Sequence, residues 1–125
     1  MTNTIQETTI VDTYLAVWNE TDAERRADLV AQAWSVDGVY ADPMLEAAGH
    51  EAIADMAAGV QAQFPDHRFR RTTDIDTHRD YVRFGWELTA PDGNVVVAGI
   101  DVALMGEDGR IAHLVGFFGD LTPMP

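Results

Sequence analysis

The sequence predicts an α+β domain, and three observations carry that expectation. Apolar residues recur at helical spacing through the first half. They alternate at strand spacing through the second half. Glycine-centred turns separate the second-half runs. The chain has 125 residues, the size of one domain, so residues 1–125 are read as a single unit.

The elements follow in order. Ile10, Val11, Tyr14, Leu15, Val17 and Trp18 form one apolar face of a helix expected from Thr4 to Asn19. Thr21-Asp22-Ala23-Glu24 fits a capping box, with Thr21 as cap of a second helix and Glu24 reaching back. Leu29, Val30, Ala33 and Trp34 give that helix its buried side, and Asp37-Gly38 is read as its end. Val39-Tyr40-Ala41 is short and extended, and Asp42-Pro43 breaks the chain, because a residue before proline avoids the helical region. A loop leads to Gly49, and a third helix carries Ile53, Met56, Val60 and Phe64 up to Pro65.

Residues 67–78 alternate loosely. From Tyr81 to Thr89, Val82, Phe84, Trp86 and Leu88 oppose Arg83, Gly85 and Glu87. Pro91-Asp92-Gly93-Asn94 is a hairpin turn, Val95 to Met105 a long strand, Glu107-Asp108-Gly109 a second turn, and Arg110 to Gly119 a last strand.

The last two strands are apolar on both faces. Val96, Ala98, Ile100, Val102 and Leu104 oppose Val95, Val97, Ala103, Met105 and Asp101; Ile111, Val115 and Phe117 oppose Ala112, Leu114 and Phe118. A sheet with one wet face alternates apolar with polar, so both faces are expected to be covered. Helices and a pocket would cover one, and a second copy of the chain the other. The alternative cover is the chain's own tail, Leu121 to Pro125.

Composition excludes several functions. The net charge is −13, with 21 carboxylates against eight cationic residues, all arginine. Nucleic acids and anionic membranes need a basic surface, so neither is an expected partner. There is no cysteine, which removes disulfides and thiolate chemistry. No run approaches a membrane span and no leader pattern opens the chain, so a cytoplasmic location is expected. The four histidines show no metal-ligand spacing, and no metal is expected. His50 is read as exposed at a helix start, and His113 as lying on the outer face of the last strand. The run Asp74–Asp80 lacks the glycine and glutamate of a calcium loop and is read as a solvated strand edge. No phosphate loop or serine-nucleophile elbow is present.

Three polar residues stand in apolar company. Asp42 ends an extended piece beside Tyr40 and Met44, as a site residue or as a turn aspartate. Asp101 lies inside a strand among Val97, Ala103 and Met105, where a carboxylate must be paired, hydrogen-bonded or neutral. An ion pair with Arg83 is the plain alternative. Tyr14 lies on the apolar helix face, where its hydroxyl needs a partner, if only a backbone carbonyl.

In that order, Tyr14, Asp37-Gly38-Val39-Tyr40-Ala41-Asp42-Pro43, Gly49-His50-Glu51-Ala52-Ile53, Ile100-Asp101-Val102 and Glu107-Asp108-Gly109-Arg110-Ile111 span nearly the whole chain. The set resembles the nuclear transport factor 2-like superfamily, in its ketosteroid isomerase and SnoaL-like polyketide cyclase branches. The resemblance implies a cone-shaped fold, with three helices from the first half on the concave face of a curved, mainly antiparallel sheet. It implies a catalytic trio: Asp42 as general base, with Tyr14 and a protonated Asp101 donating to a developing oxyanion. Such isomerisation or aldol-type cyclisation needs no cofactor. The superfamily also includes non-catalytic binding or dimerisation modules. Where the isomerase has further tyrosines, this chain has Trp34 and Ala57, neither of which can support a tyrosine hydroxyl in the same way. The loop after Asp42-Pro43 is also shorter, so the pocket mouth should differ.

The expected ligand is a small hydrophobic carbonyl compound. Its pocket would be lined by Trp18, Trp34, Tyr40, Met56, Val60, Phe64, Phe69, Phe84, Trp86, Leu114 and Phe118 around the trio.

Overall fold

The computed structural model describes residues 4–125; residues 1–3 of the expected domain lie outside the described residues. The element order is α1 (Thr4–Asn19), α2 (Ala23–Ala33), β1 (Trp34–Ala41), β2 (Glu46–Ala48), α3 (His50–Gln63), β3 (Arg68–Arg71), β4 (Asp76–His78), β5 (Tyr81–Thr89), β6 (Val95–Met105) and β7 (Ile111–Phe118). The strands form one curved mixed sheet in the order β2-β1-β7-β6-β5-β3, with β4 also pairing β5. Every pairing is antiparallel except β1 with β7. The three helices pack on one face of it, so the architecture is the expected α+β cone. Among the described residues, no helix is long and apolar enough to cross a membrane.

Polar side chains lock the helices together. Arg26 is buried, and its guanidinium donates to the carbonyls of Glu20 and Thr21 and to Oε1 of Gln61 on α3. The Gln61 amide in turn donates to the carbonyls of Trp18 and Glu20. A buried guanidinium requires this degree of satisfaction. Asn19 closes α1 by exchanging two 2.8 Å hydrogen bonds with the backbone of Phe69, which fixes β3 under the helix.

Several expectations are corrected. The cap of α2 is Asp22, whose carboxylate accepts from the Arg25 N–H, and not Thr21. A negative group at a helix start gains from both the free N–H groups and the helix dipole. The helix ends at Ala33, and Trp34 already belongs to β1. The stretch from Trp34 to Tyr40 is rich in aromatic and β-branched residues, and pairing with β7 overrides the helical pattern. Gly38 allows this: a Cβ there would stand 2.5 Å from the Trp34 ring.

Two bulges change facing. Leu104 pairs His113 but Met105 pairs Ile111, so Ala112 is an extra residue and Ile111 turns inward, fully buried. A similar irregularity beside Thr89 leaves both Val95 and Val96 about half exposed. His113 lies on the outer face as expected, whereas His50 is half-buried, with Nε2 at 2.8 Å from the Trp34 carbonyl. The tail does not cover the outer face: Leu121 and Met124 are more than nine-tenths exposed.

Candidate functional site

Three neighbouring strands position the polar centre. Asp101 on β6 pairs across the ladder with Gly116 on β7. On the other side of β7, Ala41 pairs Val115, which brings Asp42 beside the same glycine. The two aspartates therefore straddle Gly116, their Cα atoms roughly two strand spacings apart. A Cβ on Gly116 would stand 2.8 Å from Oδ1 of Asp101, 3.4 Å from Cβ of Asp42 and 3.7 Å from the Tyr40 hydroxyl. The glycine is what lets the Asp101 carboxylate lean across β7. Sequence reasoning did not single it out. A lone glycine inside an apolar strand was the available signal.

Asp101 is buried and holds two donors. The Tyr14 hydroxyl donates to Oδ2 at 2.9 Å, and the Trp86 indole N–H donates to Oδ1 at 3.0 Å. The alternative partner, Arg83, pairs with Asp76 on β4 instead. The Asp101 carboxyl is raised to about 7: burial pushes it up most, the hydrogen bonds from Tyr14 and Trp86 pull it down, and the charge of Asp42 pushes it up. Burial, then the neighbouring Asp101 charge, raises the Tyr14 hydroxyl well above its ordinary value. Tyr14 is thus a neutral donor and Asp101 a carboxyl that titrates near neutrality.

Asp42 is held differently. Its Oδ1 accepts the backbone N–H groups of Met44 and Leu45, both at 2.8 Å, and its Oδ2 accepts the Tyr40 hydroxyl at 2.6 Å. It is the turn aspartate, and it also lines the cavity. Burial and the bond to Asp42 raise the Tyr40 hydroxyl. Tyr40 thereby supplies a hydroxyl on the side of Asp42, whereas Trp34 and Ala57 offer none to Tyr14.

These groups face a cavity of about 340 Å³. It is lined by Tyr14, Trp18, Tyr40, Asp42, Val60, Phe64, Phe69, Trp86, Asp101 and Phe118, all expected, and also by Leu15, Met44, Leu45, Gln63, Leu88 and Val97. Phe69 packs between Trp18 and Trp86, with ring centroids 5.4 and 5.8 Å away. Four expected lining residues are not on the wall. Trp34, Phe84 and Leu114 are fully buried in the packing beneath it, with Trp34 and Phe84 against the Tyr14 ring at 5.9 and 6.1 Å. Met56 packs on the core from α3. Strand and helix faces point these four inward, but depth rather than direction decides contact with the cavity. Among the described residues, no group of three or more histidines and carboxylates is placed to hold a metal ion.

Chemically, the arrangement places two carboxylates and two tyrosine hydroxyls at the inner end of an aromatic hollow. When Asp101 is protonated it can donate, and the Tyr14 hydroxyl is released to donate as well. Two adjacent donors then face a carboxylate, Asp42, across Gly116.

Comparison with known proteins agrees with this architecture. Residues 11–114 match the family of SnoaL-like domains. A candidate isomerase of the SnoaL-like family from Agrobacterium tumefaciens superposes with a TM-score of 0.88 at 42% identity, covering 93% of this chain and 99% of that one. A candidate SnoaL-like polyketide cyclase from a Jannaschia species superposes at 0.67 with 17% identity, covering 89% and 85%. A protein of ketosteroid isomerase-like fold from Catenulispora acidiphila, solved with trimethylamine, superposes at 0.71 with 18% identity, covering 88% and 85%. No curated protein matches the chain. The match runs from the middle of α1 through the buried half of β7 and so takes in all three polar side chains; the chain belongs to the SnoaL-like domain family.

Proposed function

We propose that the cavity binds a small hydrophobic carbonyl compound and that Asp42, Tyr14 and Asp101 move a proton on it without a cofactor, as an isomerase or cyclase would. The observation that carries this reading is the convergence of the three groups, distant in sequence, on one apolar cavity. Asp42 takes a proton from the carbon next to the carbonyl. The electrons move onto the carbonyl oxygen, which the Tyr14 hydroxyl and the protonated Asp101 stabilise. The proton held by Asp42 then returns to another carbon of the same molecule, or the enolate carbon attacks a second carbonyl of that molecule to close a ring, and the alkoxide so formed takes up the proton held by Asp42. Water exclusion by Trp18, Phe69, Trp86 and Phe118 strengthens those hydrogen bonds.

The test is deuterium uptake next to the carbonyl of cyclic ketones, followed by proton magnetic resonance. Uptake by the native protein should fall by about 10²- to 10⁴-fold in Asp42→Asn, the range a general base supplies. Uptake at the native rate in that variant would remove Asp42 from the chemistry. A protein that binds ketones without accelerating uptake would instead be a non-catalytic holder of them, the second role found among such domains.

We further propose that a second copy of the chain covers the outer sheet face. That face presents Ile100 and Phe117, 47% and 59% exposed, in one patch with Val102, Leu104 and Val115. An apolar patch of this kind on a folded domain marks a contact surface, and a two-fold axis lets one patch cover itself.

A further inference from the structure

We propose that the same cavity takes an apolar ammonium ion, with the positive charge seated between Asp42 and Asp101 and the apolar part against Trp18, Phe69 and Trp86. This rests on the cavity being the ligand site and not on proton transfer there.

The polar groups of the wall carry charge of one sign. Among the described residues, two carboxylates line it, and no arginine or histidine does. The hydroxyls of Tyr14 and Tyr40 and the indole N–H of Trp86 are already spent on those carboxylates. A carboxylate has about four lone-pair positions. Asp101 receives two donors and Asp42 three, so acceptor capacity remains on both. With Asp101 ionised, the wall therefore offers a ligand acceptors and negative charge. Charge in such a hollow is poorly screened, and no side chain of the wall compensates it.

The rest of the wall suits a cation too. Trp18, Phe69 and Trp86 form a row of mutually tilted aromatic rings, and ring faces attract an ammonium within about 6 Å, most strongly when water is excluded. The net charge of −13 acts in the same direction by raising the local concentration of cations. An anionic ligand meets the opposite of each of these conditions.

The titratable groups facing the bound charge are Tyr14 on α1, Tyr40 on β1, Asp42 just past the end of β1, and Asp101 on β6. The wall residues from α3, β3, β5 and β7 carry no titratable group: Val60, Gln63, Phe69, Trp86, Leu88 and Phe118 among them. The tyrosines stay neutral at ordinary pH, and the Asp101 carboxyl, raised to about 7, changes the charge of the wall near neutrality.

The experiment titrates phenyltrimethylammonium and its uncharged isostere tert-butylbenzene into the full chain in phosphate buffer, following the fluorescence of the wall tryptophans. At pH 8 the cation should bind roughly tenfold or more tightly than the isostere, the scale of a desolvated cation on aromatic faces beside a carboxylate. Moving from pH 8 to pH 6 should weaken the cation severalfold and leave the isostere unchanged, because Asp101 takes up a proton. Asp101→Asn should abolish that pH dependence, and isostere binding reports whether the variant keeps its cavity. Equal affinity for the two probes at pH 8 overturns the proposal even if every variant misfolds. So does a preference for the cation that persists when both aspartates are replaced by asparagine. If cyclic ketones and tert-butylbenzene bind but the cation does not, the ammonium proposal falls and the carbonyl reading stands. If no probe and no ketone binds, both fall.

Discussion

Tyr40 lies near the end of β1 and Asp42 just past it, two residues on, and the Tyr40 hydroxyl donates to Oδ2 of Asp42 at 2.6 Å. Alternate residues of a strand share a face, so this pairing is built into the backbone. It gives Asp42 a fixed orientation, with one oxygen bound to the following turn and the other to the tyrosine.

Tyr40→Phe should retain the fold and lose that orientation. A hydrogen bond to a charged group contributes about 1.5–3 kcal/mol, and partial exposure of Asp42 lets water replace some of it, so urea unfolding should show about 1 kcal/mol of destabilisation. Deuterium uptake by ketones should fall about tenfold through misplacement of the carboxylate. Unaltered uptake would show that the tyrosine does not position Asp42.

Gly116→Ala should disturb the polar centre from below. The new methyl group would stand 2.8 Å from Oδ1 of Asp101, a side chain that two hydrogen bonds prevent from yielding easily. Overpacking of this kind costs about 1–3 kcal/mol. Thermal unfolding should show that loss, and ketone binding should weaken with it. A variant as stable as the native protein, with ligand binding intact, would mean that Asp101 has room the packing does not reveal.

Asp101 should make stability fall as pH rises through the acidic range. Its carboxyl is raised in the folded chain to about 7, against 3.8 for the free group. Between those values the folded state holds a proton that the unfolded state has released, so each step up in pH favours unfolding. The full effect of this group is on the order of 4 kcal/mol, since every tenfold difference in proton affinity between the two states is worth about 1.4 kcal/mol. It is absent below the lower value and complete above the upper one. Asp101→Asn should flatten this slope in urea titrations from pH 4 to pH 8, and the variant should gain on the native protein towards pH 8. A native slope identical to that of the variant would contradict a buried, titrating Asp101.

Light scattering at micromolar concentration should give twice the chain mass of 13.8 kDa. Phe117→Asp, placing a charge in the exposed apolar patch, should give a monomer with its secondary structure intact. A native mass equal to one chain would refute the proposed contact.

Much of the architecture was legible because burial imposes periodicity. α1, α3, β5 and β6 stand where their apolar spacing placed them, since each has one buried face and a clear turn at its end. β1 was not, because Ala33 and Trp34 continue a helical pattern that only pairing with β7, 77 residues later at Trp34 and Ile111, overrides. The inward turn of Ile111 was hidden for the same reason: a bulge exists only between two strands.

The sequence by itself determined that this is an acidic, cysteine-free α+β domain, and that Tyr14, Asp42 and Asp101 are polar groups in apolar surroundings. Tertiary structure decided which partner each one found. The sequence offered Arg83 as a partner for Asp101 and a backbone carbonyl for the Tyr14 hydroxyl; the sheet sends Arg83 to Asp76 instead, while α1 brings Tyr14 to Asp101. It also decided which aromatic residues line the cavity and which lie beneath it. Hydrophobic patterning acts along the chain and reports direction, whereas depth and hydrogen-bond partners depend on where curvature and strand register bring distant segments together.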